Sequence, residues 1–161
     1  MSRLRQHFEA FALDEVETFI TSGNVIFSSR STAVPALERR IAKGLHAELG
    51  YEVPCFLRSS AEVSAISRYR PFTDAELKGS LTYCVGLLAE PLALAAKKAL
   101  MALQTKVDNF HVHDREIYWS SRLGQSDSVM SNVRLERALQ VRFTFRGMKT
   151  MVRLAAKYGF S

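Results

Sequence analysis

Leu81 to Glu90 (LTYCVGLLAE) is apolar almost throughout and has the length of a strand. Such a segment has no polar face to turn toward water, so it belongs at the centre of a sheet. The second half of the chain can be ordered around it. Pro91 opens a helix in which Leu92, Ala95, Ala96, Ala99 and Leu103 recur at helical spacing. Asn109 to Ser121 (NFHVHDREIYWSS) alternates as a hairpin, with Phe110 and Val112 on one strand and Ile117 and Trp119 on the other. Ser131 to Gln140 reads as a helix. Val141 to Arg146 follows as a strand with two unlike faces, Val141, Phe143 and Phe145 against Arg142, Thr144 and Arg146. A last helix runs from about Lys149 to Tyr158. The order is β, α, β, β, α, β and then a helix.

The first half repeats much of that order. Leu4, Phe8 and Phe11 mark a helix over Ser2 to Leu13, with Ser2 as N-cap. Val16 to Ser29 (VETFITSGNVIFSS) reads as a hairpin turning at Thr21-Ser22-Gly23-Asn24, where Gly23 and Asn24 most easily accept positive φ. Thr32 and Pro35 start a second helix, striped by Val34, Leu37, Ile41, Leu45 and Leu49 and ended by Gly50. Tyr51 to Arg58 (YEVPCFLR) reads as a strand, with Pro54 placing it at an edge or a bulge. Ser59 and Glu62, then Thr73 and Glu76, have capping-box spacing.

The expected fold is therefore α+β. It consists of two tandem ferredoxin-like βαββαβ units, the first lacking its initial strand, plus a C-terminal helix. The units are expected over residues 1–70 and 78–161, with the boundary between about Arg70 and Ser80. In such a sheet the first strand lies in the middle. Without it, unpaired backbone groups on its neighbours call for closure by strand exchange with a second copy, by rearranged pairing of Val16–Ser28 with Tyr51–Arg58, or by residues upstream of Met1; the favoured expectation is an association of two chains, a homodimer through the N-terminal unit.

Three stretches carry a family resemblance. TSGNV (Thr21 to Val25), VPCFLRSSAEVSAI (Val53 to Ile66) leading to Arg70-Pro71-Phe72, and IYWSS with SNVRLERAL (Ile117 to Leu139) resemble the bacterial domain-of-unknown-function family 1697 along essentially the whole chain. The resemblance implies tandem α+β units and no established activity. Members usually begin with a strand and an Arg-Gly-Ile-Asn-Val-Gly-Gly loop, which is missing here. They also usually carry Arg-Asn-Trp-Asn-Thr near the C-terminus, where this chain has Arg146-Gly147-Met148-Lys149-Thr150.

Composition narrows the chemistry. With 161 residues, 47% of them hydrophobic and none in a run long enough to span a bilayer, the chain is expected to be cytoplasmic, with no membrane partner. Cys55 and Cys84 lie in apolar segments and suit free thiols. The formal net charge is +6. Between Arg122 and Ser161 eight basic residues face only Asp127 and Glu136, so the whole excess sits in the last quarter.

No P-loop, HExxH, GxSxG or CxxC pattern occurs, which weighs against an enzyme of a standard class; no catalytic residue, cofactor or metal is expected. His111 and His113 share a strand face beside Asp114, but lack an evident third ligand. The candidate anion-binding residues are Thr21, Ser22, Gly23 and Asn24 in the turn, and Arg142, Arg146, Lys149 and Arg153 in the basic quarter. The leading expectation is a non-enzymatic binding module for an anionic partner, nucleic acid among them. The alternatives are an enzyme on a small phosphorylated or carboxylated substrate and a subunit of a larger assembly.

Overall fold

The apolar run is a strand in a computed structural model, which describes residues 2–11, 13–19, 23–30, 33–124 and 130–158. The chain forms two compact units, Met1–Leu57 and Arg58–Ser161. Both mix helix and strand, so the α+β class holds. The division falls earlier than the expected boundary between Arg70 and Ser80, because the helix that follows Arg58 packs within the second unit.

In the first unit the elements are α1 (Ser2–Glu9), β1 (Asp14–Phe19), β2 (Asn24–Ser28) and α2 (Val34–Leu49). β1 and β2 pair antiparallel, with Phe19 opposite Asn24 and Thr18 opposite Val25, as the hairpin reading required. Gly23 takes φ 83°, and the Asn24 side-chain amide donates to the Phe19 carbonyl at 3.1 Å. Thr21 and Ser22 lie outside the described residues, as does Thr32; Ala33 holds the N-cap position of α2 without a side-chain bond. Gly50 closes α2 in the left-handed region, at φ 78°. Phe8, Leu13, Val16, Leu37, Ile41 and Leu45 form the core.

Tyr51 to Arg58 corrects the reading. Among the described residues this stretch joins no sheet. Val53, Cys55 and Leu57 still alternate inward onto the core. Pro54 has no N–H for a ladder, and the Leu57 N–H is taken by a side chain, donating to Glu38 Oε2 at 2.6 Å. The buried Glu38 thus substitutes for a neighbouring strand. The first unit is described as α, β, β, α with a two-stranded sheet.

The second unit contains α3 (Ser60–Arg68), α4 (Asp74–Leu77), β3 (Thr82–Leu88), α5 (Leu94–Met101), β4 (Asp108–His113), β5 (Glu116–Ser121), α6 (Asn132–Leu139), β6 (Phe143–Gly147) and α7 (Met148–Tyr158). Both capping boxes form. The Glu62 N–H donates to Ser59 Oγ at 3.1 Å, and the Glu76 N–H to Thr73 Oγ1 at 3.1 Å. The sheet order is β4-β5-β3-β6 with every neighbour antiparallel, so β3 is internal as its composition demanded.

Alternate residues of β3 serve different layers. Cys84 and Leu88 join Phe110, Ile117, Trp119 and Phe143 beneath α5 and α6, which contribute Leu100, Leu135 and Leu139. Gly86 lies on that side because a Cβ there would sit 3.0 Å from the Phe143 ring and 3.2 Å from Phe145. Val85 and Tyr118, on the opposite face, have no solvent exposure either. There α3 and α7 pack against each other over the sheet, burying Ile66, Met148 and Met151.

Candidate functional site

The sequence-derived anion-binding residues divide between the units. Gly23 and Asn24 belong to the first, and Arg142, Arg146, Lys149 and Arg153 to the second. α7 follows β6 directly and is strongly amphipathic. Met148 and Met151 turn into the sheet, while Lys149, Arg153 and Lys157 are exposed at i, i+4 and i+8. The Lys157 ammonium lies 5.2 Å from the Tyr158 ring centroid. Arg142 is exposed just before β6. Arg146 differs, being half-buried: Nη1 donates to Thr144 Oγ1 at 2.7 Å and to the Phe145 carbonyl at 2.9 Å. Burial lowers its pKa from the ordinary arginine value. Its guanidinium follows its own strand; α7 supplies the exposed stripe, and Arg142 lies with Glu136 and Arg137 of α6.

A second cluster escaped sequence reasoning. Arg58 is 3% exposed at its side chain and pairs with Glu116, 8% exposed, at 3.0 Å. Its Nη2 also donates to the carbonyls of Leu88 at 2.8 Å and Arg115 at 2.7 Å, tying the start of the unit to one end of the sheet's central pair, where these two residues are neighbours. Burial raises the Glu116 carboxyl above its ordinary range, against the pull of Arg58. Burial also lowers Arg58, with Arg115 adding to the effect. Next to this pair, Arg115 donates to Glu62 Oε2 at 2.7 Å. The Glu62 carboxyl sits below its ordinary value: burial opposes the shift, but the Ser59 N–H and Arg115 outweigh it.

The two histidines face the end of α3. His111 Nε2 lies 2.8 Å from the Tyr69 hydroxyl, and His113 stacks on the Tyr69 ring at 4.1 Å. Among the described residues no group of three His, Cys, Asp or Glu side chains is placed to hold a metal. Tyr118 lies under Tyr69, with ring centroids 5.2 Å apart. The thiols are free, and burial raises Cys55 to about 11 and Cys84 to about 12. The acidic and aromatic members of this cluster were visible in EIYWSS and the capping box. Nothing local marked Arg58 as their partner, since it lies 58 positions from Glu116.

Known proteins add family and fold. The family described as "Protein of unknown function (DUF1697)" matches residues 1–118. No curated protein matches the chain. Among solved structures, conserved bacterial protein SP0830 from Streptococcus pneumoniae is similar with a TM-score of 0.74 and 20% identity, over 98% of this chain and 88% of that one. At that identity the likeness is one of fold.

Proposed function

The chain belongs to the DUF1697 family of proteins of unknown function, and we propose that it is a binding module for an anionic partner, a nucleic-acid backbone foremost, acting through the outer side of α7. The observation that carries this reading is the exposed stripe of Lys149, Arg153 and Lys157, held in register because Met148 and Met151 anchor the opposite side. Cations four residues apart rise about 6 Å per step along one face of the helix, a line of positive charge that a phosphate backbone can follow. The formal charge of +6 adds long-range attraction of the same sign.

The order β, α, β, β, α, β with β3 between β5 and β6 supports reading the second unit as ferredoxin-like. RNA-recognition domains of that topology stack bases on aromatics of the open sheet face. Here α3 and α7 cover the corresponding face, and Tyr118 is buried. The partner therefore meets α7 from outside, not the sheet.

The test is fluorescence anisotropy with a labelled 20-mer duplex from about 50 to 200 mM salt, comparing the native protein with K149E/R153E. Each lost phosphate contact lowers the slope of log K against log salt by about 0.9, so the variant should bind more weakly with a slope reduced by roughly two. An unchanged slope, or no binding by the native protein at the lowest salt, overturns the proposal. Arg146 is left native because its half-buried bonds make R146E a test of folding as well.

A further inference from the structure

The two units share an order of elements and differ at one position in it. In the second unit β3 lies between β5 and β6, antiparallel to both. In the first, β2 has the place of β5 in that order and Tyr51 to Leu57 has the place of β6, yet no strand among the described residues joins them. A hydrogen bond supports matching Tyr51 to Leu57 with β6. The Phe143 N–H, at the start of β6, turns away from β3 and donates to Glu136 Oε2 of α6 at 3.3 Å, which closes the outer edge of that strand. The Leu57 N–H donates in the same way to Glu38 Oε2 of α2, at 2.6 Å.

Burial shows what the difference leaves open. Ile117 and Trp119, the core-facing residues of β5, are fully buried. Val25 and Phe27 of β2, and Val53, Cys55 and Leu57, pack on the core of their unit but are only half-buried. A two-stranded ribbon is marginal by itself, and the free edge of a strand is a template for another strand. We propose that the first unit is a strand acceptor, in which an extended segment of a partner polypeptide lies between β2 and Tyr51–Leu57. The segment is about five residues long, the length of β2, runs antiparallel to it as β3 does to β5, and turns apolar side chains inward at alternate positions. A second copy of this chain fits the same place less well. Its β2 would bring β1 with it, two strands wide, and its β3 is internal to another sheet. The site belongs to the other unit from α7 and selects backbone and apolar side chains instead of phosphate.

The test uses the intact chain and the peptide acetyl-KTVTVTVE-amide, which alternates valine with threonine and carries no net charge. Isothermal titration should show saturable one-to-one binding, and the same peptide with its central valine replaced by proline should bind about tenfold or more weakly, because proline cannot donate to a ladder. Amide hydrogen exchange should slow about tenfold or more in both β2 and Tyr51–Leu57 when the peptide is bound, and stay unchanged in β4 and β6, the edge strands of the other sheet. Absence of saturable binding, equal binding of the proline peptide, or protection confined to β2 or found on β4 or β6 overturns the proposal. So does a chain that sediments as a dimer with β2 and Tyr51–Leu57 already protected, because a second copy would then be the occupant.

Discussion

The two faces of the four-stranded sheet are built from alternate residues of the same strands and each is covered by two helices, yet they differ in kind. Beneath α5 and α6 the layer is apolar, and its polar atoms are matched: Trp119 Nε1 donates to the buried Asp108 Oδ1 at 3.0 Å. Beneath α3 and α7 the layer holds the Arg58–Glu116 ion pair and the unpartnered hydroxyls of Tyr83 and Tyr118, and α3 adds the unpartnered Ser64. The first face supplies cohesion through area and packing. The second spends part of that cohesion on desolvated charge, which apolar replacement would remove at little or no cost.

The largest expected effect concerns the ion pair. Glu116→Leu strands the Arg58 guanidinium in the interior and should lower stability by about 3–5 kcal/mol, read from urea unfolding. Arg58→Met combined with Glu116→Leu should recover most of the loss. Two equal, additive losses would mean that the pair behaves like any other packing contact and would erase the contrast between the faces.

On the apolar face the corresponding probe is Gly86→Ala. The new methyl meets Phe143 at 3.0 Å and Phe145 at 3.2 Å, and overpacking of this kind costs about 1–3 kcal/mol. A neutral result would show that the aromatic pair yields, and that this face is packed more loosely than its burial implies.

Glu62 gives a smaller effect with a definite pH signature. Its folded pKa is depressed, so its contribution is present above the unfolded carboxyl's value of about 4.5 and is lost as pH falls through the folded one. Glu62→Gln should cost under about 1 kcal/mol near neutrality, because the pair with Arg115 is partly exposed. Unfolding measured at pH 7 and again below the carboxyl range should show the gap closing; a pH-independent gap refutes the assignment.

The smallest effect is at Tyr83, whose buried hydroxyl lacks a partner. Tyr83→Phe should change stability by no more than about 0.5 kcal/mol, with any shift toward greater stability. A loss above about 1 kcal/mol would place an ordered water on that hydroxyl and narrow the contrast between the two faces.

Much of this was legible in the residue order. The apolar run over Leu81 to Glu90 announced an internal strand, and β3 lies between β5 and β6. Phe110 opposite Trp119 and Val112 opposite Ile117 followed from alternation in a hairpin. The α7 stripe and the capping boxes at Ser59 and Thr73 followed from spacing of three and four residues. Two outcomes that were not legible share a cause. Tyr51 to Arg58 has strand-like alternation and packs accordingly, but whether it joins a ladder depends on a partner elsewhere, and Glu38 on α2 takes its Leu57 N–H instead. Arg146 alternates with Phe145 as read, yet how its long side chain lies was set by the carbonyl and hydroxyl within reach on the folded strand.

Everything whose physics is local can be read from the order of residues: strand and helix periods, caps, turns, and the concentration of charge in the last quarter. These depend on neighbours a few residues apart, whose geometry the backbone imposes wherever the segment lies. That α3 joins the second unit, that α3 and α7 close the second sheet face, and that Arg58 meets Glu116 across 58 residues follow from the folded chain alone. Those outcomes rest on burial and on pairing within a few ångströms. Such energies fall off too steeply with distance to leave a pattern in the order of residues, and they exist only once the chain has brought remote segments together.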